Sequence, residues 1–323
     1  MNKPEAFTIT LQTSNVQWRC ASNETLLQSA ERQGLALPSS CRNGTCRTCL
    51  VHTQSTEHAY SLAWPGLSLE EKRQGDTLCC VALPKEDVCI EDQHFSPEVY
   101  AQAFHLVAQD PSFLVLNKPS GLLSVPGRGP LKSDCLSSRV QHKFPTALIV
   151  HRLDQATSGL LLMALGPEAQ KGLNQMFSTG QVHKRYMAKV QGALPVSSSW
   201  QLIDAPIYAD WPLRPLRVVD AKGKASQTRY RCLQSDNKHS LLEIEPLSGR
   251  THQIRVHLSH IGHPILGDQL YAPEDVANES TRLLLHAQSL RFVHPLTLEP
   301  FELDSACPLD FYPNDSQSGP APK

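Results

Sequence analysis

The chain has 323 residues, room for about two domains, and 40% of them are apolar, enough to build cores. With 30 Lys and Arg against 31 Asp and Glu it is close to neutral, which argues against a basic nucleic-acid tail protein and against an acidic disordered one. The longest apolar run, Leu160 to Leu165, falls far short of the ~18 residues a bilayer span needs, and MNKPEAFTIT lacks the apolar stretch of a secretory signal, so a cytoplasmic location is expected.

In chain order, residues 6 to 19 predict a strand pair, with Phe7, Ile9 and Leu11 alternating before Val16 and Trp18. Thr25 to Glu31 predicts a short helix, a cysteine-rich loop follows, and Leu50 and Val51 begin another strand. Residues 93 to 101 carry few apolar side chains in any period and are expected to link two domains, at 5–92 and 102–312. Beyond them, Phe113 to Leu116, Leu148 to Val150 and Leu160 to Ala164 predict strands, and Pro167 to Phe177 a helix. Tyr186 to Val190, Thr228 to Leu233, Leu241 to Ile244 and Thr251 to Leu258 predict further strands, and 313–323 a disordered tail.

Seven of the ten cysteines, at 20, 41, 46, 49, 79, 80 and 89, fall in the first 89 residues. In a reducing compartment such clustering points to metal before disulfides. Cys41-Arg42-Asn43-Gly44-Thr45-Cys46-Arg47-Thr48-Cys49 has C-x4-C-x2-C spacing, and Cys80 follows after a long gap. That is the plant-type arrangement for a 2Fe-2S cluster: three thiolates on one tight loop and a distant fourth. A zinc ribbon would want a second C-x2-C knuckle, which the adjacent Cys79 and Cys80 cannot form; a plain cysteine-rich loop is the remaining alternative. Residues 5 to 92 resemble the plant-type ferredoxin family. The resemblance implies a β-grasp fold, and matching its last-ligand stretch to Leu78-Cys79-Cys80-Val81-Ala82-Leu83-Pro84 makes Cys80 the fourth ligand. Cys20 and Cys89 are expected to be buried small hydrophobes.

In the second part, His151-Arg152-Leu153-Asp154-Gln155-Ala156-Thr157-Ser158-Gly159 is a polar segment between two apolar strands, a plausible scaffolded site. Ser158, His151 and Asp154 could suggest a hydrolase, but no G-x-S-x-G elbow exists in the chain. Read as a strand, Thr251 to Leu258 puts Ile254, Val256 and Leu258 with His252 on one face, and Thr251, Gln253, Arg255 and His257 on the other. On that reading the histidines at 252, 257, 260 and 263 make a poor metal site, with no carboxylate interleaved. Lys184 to Val190 places Tyr186 on the inward face with Ala188 and Val190. Gly127 to Ser133 fails the P-loop spacing, so no nucleotide cofactor is implied.

Taken together, NKPSGLLSVPGR (117–128), HRLDQATSG, KRYMAKV, PLSGRTHQIRVH (246–257) and GHPILGD (262–268) resemble the RluA family of pseudouridine synthases, over residues 102 to 312. The resemblance implies a mixed α/β catalytic domain with a large, mostly antiparallel sheet and no cofactor for the isomerisation. It makes Asp154 the catalytic aspartate, Tyr186 the ring that stacks on the target base, and Arg255 the ion-pair partner of Asp154. Arg152 and His151 become substrate-binding, with Arg152 helping to hold the flipped-out nucleotide. The chemistry fits: breaking N1–C1′ and rejoining through C5 needs an ionised carboxylate as nucleophile or base, and an extruded base needs a stacking surface.

Residues 1 to 95 carry 8 basic and 11 acidic side chains, and residues 96 to 323 carry 22 and 20, so any RNA affinity should lie in the second part as a local patch. Arg214, Arg217, Lys222 and Lys224 supply one, and by resemblance this stretch clamps an RNA stem. The NKPSGLLSVPGR and Asp210-Trp211-Pro212 segments most resemble family members that act on an anticodon-loop uridine of tRNA and on 23S rRNA. Pseudouridylation moves no net electrons, so the cluster would act indirectly, as a regulatory or redox sensor. The alternatives are a tethered electron carrier with its own redox partner protein, or an RNA-binding protein that has lost activity.

Overall fold

The computed structural model describes residues 5–91, 104–127 and 134–312, apart from positions 13, 36, 38, 40, 56, 64, 211, 213 and 214. The expected linker and tail, together with Arg128, Trp211 and Arg214, lie outside the described residues.

The first unit opens with the antiparallel hairpin of β1 (Ala6–Leu11) and β2 (Gln17–Ala21), followed by α1 (Leu26–Arg32). Thr25 starts that helix with a capping box: its side chain accepts from the Gln28 amide, and the Gln28 side chain accepts from the Thr25 amide. There follow β3 (Leu50–Thr53), β4 (His58–Tyr60), α2 (Leu69–Arg73), β5 (Asp76–Leu78), β6 (Ala82–Pro84) and β7 (Val88–Glu91). The sheet order is β2-β1-β7-β3-β5, with β1 and β7 parallel, while β4 and β6 form a separate ribbon. Leu26, Leu27 and Ala30 of α1 pack on Ile9, Trp18 and Val51 of the sheet, the grasped helix of a β-grasp. Cys20 is part of this core, as expected, whereas Cys89 on β7 is only half-buried and lies outside it.

The second unit comprises β8 (His105–Gln109), β9 (Phe113–Lys118), α3 (Leu136–Lys143), β10 (Ala147–Ile149), β11 (Ser158–Leu165), α4 (Pro167–Ser178) and β12 (His183–Gln191). It continues through β13 (Gln201–Asp204), β14 (Ile207–Tyr208), β15 (Val218–Val219), β16 (Gln227–Ser235), β17 (His239–Pro246) and α5 (Gln253–His260). The last elements are α6 (Glu274–Ala277), β18 (Leu285–Val293) and β19 (Pro300–Asp304). A ten-stranded sheet runs β13-β16-β17-β12-β18-β11-β9-β8, with β10 also paired to β11 and β19 to β18, and its pairings are antiparallel except β11 with β18. The runs in β9 and β11 are apolar throughout because both faces are covered. Phe113, Val115, Leu160 and Leu162 pack toward Leu173 and Met176 of α4. Leu114, Leu116, Leu161 and Met163 pack into the opposite core with Tyr186, Ala188 and Ile244.

Gly159 lets β11 and β18 pair directly after the 151–157 loop. Its φ is +111°, and a β-carbon there would lie 2.2 Å from the Ala287 carbonyl oxygen. The loop exit is therefore fixed by backbone contact with the centre of the sheet.

Residues 251–258 are not a strand. They lie at the start of α5, and Gln253 through Leu258 are all buried. The alternation of Ile254, Val256 and Leu258 misleads because the polar residues between them are interior too, each with its own partner. Gln253 donates to the Gln227 carbonyl at 2.9 Å, and the His257 ring lies 2.8 Å from Thr228 Oγ1 and 2.9 Å from the Ala205 carbonyl.

Candidate active site

The loop between β10 and β11 is held from beneath by the segment after β9. Ser124 Oγ donates to the Leu153 carbonyl at 2.7 Å and accepts from the Leu153 amide at 3.1 Å. Ser120 Oγ donates to the Ala156 carbonyl at 2.7 Å, and the Gly121 amide to the Gln155 carbonyl at 2.8 Å. Lys118, fully buried at the end of β9, donates from Nζ to the carbonyls of Pro119 (2.9 Å), Leu122 (2.7 Å) and Gln155 (3.0 Å). Burial pushes its ammonium down to about 7, and the charge of Asp154 opposes that. Three carbonyls match the three N–H groups of the charged amine, so Lys118 ties both strands of the turn together beneath Asp154. A charged residue ending an otherwise apolar strand is the signal that could have revealed it.

Asp154 is partly exposed on this rigid loop. Arg255 Nη1 stands 3.4 Å from its Oδ2 and His252 Nε2 stands 3.9 Å from its Oδ1. Arg255 is therefore a partner of Asp154, as expected, but its principal partner is Asp268. Nε donates to Asp268 Oδ2 at 2.8 Å and Nη2 to Oδ1 at 2.6 Å, a bidentate pair with both side chains almost fully buried. Burial pulls the Arg255 guanidinium down, but the hydrogen bonds and charge of Asp268, helped by Asp154, outweigh it and raise its pKa. Neither Asp268 nor His252 was among the expected site residues; Asp268 could have been suspected as a carboxylate closing the apolar Pro264-Ile265-Leu266-Gly267 run.

Tyr186 lies on the same side of the sheet as Asp154, buried in the core that includes Leu153 and Ile254. Burial, and then the charge of Asp154, push its phenol well above the ordinary range, so the hydroxyl stays protonated. The structure thus brings together Asp154, Tyr186 and Arg255 from the loop before β11, from β12 and from α5. Arg152 is exposed on the Asp154 loop, two residues before the carboxylate. His151 departs from expectation: it is turned into the scaffold. Its Nε2 accepts the Leu162 amide at 2.9 Å and its ring stacks on Phe177 with centroids 4.6 Å apart. Burial, then the charge of Lys184, lower its pKa to about 3, as a neutral acceptor requires. His151 therefore braces the loop, and its acceptor nitrogen is not available to substrate.

The basic stretch forms a small ribbon. Ile207 and Tyr208 pair with Val219 and Val218, and Lys224 bridges back to Ile207. Lys222 and Lys224 are exposed in and just after the turn that follows β15. Arg217 is half-buried immediately before β15, where its guanidinium donates to the Leu216 carbonyl at 2.9 Å and its amide to the Tyr271 hydroxyl at 2.9 Å. Arg214 lies outside the described residues.

In the first unit the residues fit a small sulfur-rich group. Arg42, Gly44 and Arg47 all have positive φ, which coils the loop tightly. The Cys41 amide donates to Cys46 Sγ and the Cys46 amide to Cys41 Sγ, each at 3.2 Å. The Cys80 thiol lies within hydrogen-bonding reach of Cys41 and Cys49, and Cys41 of Cys46, whereas Cys79 is fully buried in the domain core. Among the described residues no three such groups are set to hold a single ion. Pairwise contact of four thiols suits ligands divided between two irons. Cys41, Asn43, Thr45 and Cys46 face Ile149, Arg152 and Asn174 across a cavity of about 160 Å³, and Gln141 Nε2 donates to the Ser39 carbonyl at 2.6 Å. The cysteine loop thus adjoins the root of the Asp154 loop.

Residues 112–260 match the RNA pseudouridylate synthase family, and residues 9–85 match the 2Fe-2S iron-sulfur cluster binding domain. The chain is similar to the dual-specificity RNA pseudouridine synthase RluA of Yersinia pestis, 46% identical over 58% of this chain and 91% of that protein. The corresponding protein of Escherichia coli is 42% identical over 59% of this chain and 87% of its own length. Among solved structures, human RNA pseudouridylate synthase domain containing 1 superposes with a TM-score of 0.53, at 29% identity over 64% of this chain and 84% of the human one.

Proposed function

The chain belongs to the RluA family of RNA pseudouridine synthases, and on that premise we propose that it converts uridines to pseudouridines in structured RNA, in tRNA anticodon loops and in 23S rRNA. It is an isomerase with an appended iron–sulfur domain. The observation that carries the site assignment is the meeting of Asp154, Arg255 and Tyr186 from three remote stretches. In the reaction the N1–C1′ bond breaks, the base turns, and a C5–C1′ bond forms as the C5 proton leaves and N1 gains one. A carboxylate can serve by attacking C1′, attacking the base or removing a sugar proton, and each route starts from the ionised form that the Arg255 guanidinium faces. Tyr186, protonated and buried, offers a stacking face for the extruded base and a hydroxyl donor, not a base. Arg152 would help to hold the flipped nucleotide, and Arg214, Arg217, Lys222 and Lys224 would neutralise phosphates of the RNA stem. Those substrates support the reading of a cytoplasmic protein.

Deleting the protein and mapping pseudouridine across tRNA and 23S rRNA tests the substrate reading. Sites that vanish, and return on complementation, are its targets; unchanged maps in both RNA classes would remove the reading.

Cys41, Cys46, Cys49 and Cys80 would hold the cluster, which when bound supplies one-electron redox chemistry. We read its role as regulatory, because the cysteine loop adjoins the Arg152 loop and so loading can be felt at the RNA site. An electron carrier would instead require a redox partner to dock at that edge. Cys80→Ser is expected to lose most of the iron and visible absorption, and Cys79→Ser to keep both. Equal RNA affinity, rate and melting temperature in loaded and stripped wild-type protein would refute regulation.

A further inference from the structure

His252 stands immediately before α5 in a left-handed conformation, φ 58° and ψ 16°, and caps no amide with its side chain. Residues with a β-carbon rarely adopt that backbone, and one that does so beside a reacting group needs an explanation in what its side chain reaches. Here the side chain is mostly buried, and it reaches two things. Nδ1 lies 2.6 Å from the Tyr271 hydroxyl, and Nε2 lies 3.9 Å from Asp154 Oδ1.

The hydrogen-bond directions can be assigned. The Tyr271 oxygen accepts the Arg217 amide, which can only donate, at 2.9 Å. The phenol's single proton is then free for Nδ1, making His252 the acceptor there. A neutral ring carries its remaining proton on Nε2, aimed at Asp154. Burial, which lowers the pKa of His252, favours that neutral form, Asp154 and Asp268 oppose it, and the Arg255 and Arg217 charges add to it. The Tyr271 ring also lies under the Arg255 guanidinium, 5.1 Å from centroid to carbon. A path open only at that 3.9 Å gap thus runs from Arg217 of the basic ribbon, through Tyr271 and His252, to the carboxylate oxygen that Arg255 does not face.

We propose that His252 and Tyr271 are positioning residues that couple the RNA-clamping ribbon to the catalytic carboxylate. RNA drawing on the ribbon moves the Tyr271 hydroxyl, and the His252 ring closes the 3.9 Å gap to donate to Asp154 Oδ1. With Arg255 on Oδ2, both oxygens are then fixed and one rotamer is selected. At 3.9 Å the contact is too long for a hydrogen bond, so the orientation is completed only when RNA is engaged. The inference rests on the reading of Asp154 as the catalytic carboxylate.

The test uses the full-length protein and an anticodon stem-loop RNA, with single-turnover rate, RNA affinity and melting temperature measured for His252→Asn, Tyr271→Phe and the double variant. Asparagine tolerates the left-handed backbone, so the His252→Asn change removes the bridge and not the conformation. The single-turnover rate is expected to fall ~30-fold for His252→Asn and ~10-fold for Tyr271→Phe, within the ~100-fold that a 1 Å misplacement can cost. RNA affinity should stay within about twofold of wild type, and the double variant should be no slower than the slower single one, as expected for links in one chain. Wild-type rates in both single variants, single losses that multiply in the double, or losses that follow RNA affinity would each overturn the proposal. If His252→Asn fails to fold, the near-isosteric Tyr271→Phe decides by the same criteria. An Asp154→Asn protein that still makes pseudouridine would remove the underlying site reading instead, whatever these variants do.

Discussion

Asp154→Asn lowers the rate of uridine isomerisation by ~10⁴-fold or more, the scale on which loss of a reacting nucleophile is felt when the rest of the site persists. The amide has nearly the shape of the carboxylate, and Asp154 is a partly exposed loop residue whose contact with the buried Arg255 is a long one at 3.4 Å, beside the shorter pair that Arg255 makes with Asp268. The loop is held instead by Lys118, Ser120 and Ser124 through backbone carbonyls, which the substitution leaves in place. RNA affinity and melting temperature should therefore stay near wild type, because the phosphate-binding ribbon and the core are untouched. The check is release of tritium from RNA labelled at uridine C5, since C5 must lose its proton when it bonds to C1′. A variant retaining a tenth of the wild-type rate would show that the carboxylate only positions, and that another group reacts.

Most strands were legible because their runs are apolar on both faces or alternate against one core: those at Phe113, Leu148, Leu160, Tyr186, Thr228 and Leu241 all appear where the pattern places them. The helices expected at Thr25 to Glu31 and at Pro167 to Phe177 also appear, as α1 behind the Thr25 cap and as α4 with Pro167 in its first turn. The strand β18, central to the sheet, was not read, although Leu283 to Leu285 and Leu290 to Val293 flank its polar middle. His286, held between Ser158 and Ser305, and Ser289 are polar yet buried, which breaks the expected period. The start of α5 was misread for a related reason: a local pattern cannot show that Arg255 has Asp268 waiting thirteen residues on. In the active site, Asp154 and Arg152 could be singled out because they sit on a polar loop between two apolar strands, whereas local spacing gives Tyr186 only an inward-facing place, and its role, like that of Arg255, comes with the resemblance to the pseudouridine synthases. Lys118, His252, Asp268 and Tyr271 could not, since what gives each its role is a partner supplied by the tertiary fold.

Arg255→Met destabilises the protein by ~3–5 kcal/mol, the cost of breaking a buried ion pair from one side. The Asp268 carboxylate is only 1% exposed, and without Arg255 it keeps just the Leu270 amide at 3.0 Å and the longer Tyr271 contact at 3.3 Å. For a domain of this size the loss corresponds to a fall of roughly 10 °C in melting temperature. The decisive comparison is Arg255→Met with Asp268→Leu added. Removing both charges leaves no unpaired buried ion, and two apolar side chains can occupy the space, so much of the lost stability should return. Activity should not return, because Asp154 has still lost the guanidinium that faces its Oδ2 at 3.4 Å. Calorimetry of the two variants beside C5 tritium release separates the two jobs of Arg255. A double variant no more stable than Arg255→Met would mean that the cost lay in packing around the long side chain and not in a stranded carboxylate. A double variant with restored turnover would mean that Asp154 needs no cation at its side. The arrangement in which one arginine serves both a buried structural aspartate and a partly exposed reactive one predicts neither outcome. It predicts recovery of the fold without recovery of the chemistry, because the two carboxylates draw on different nitrogens of the same guanidinium.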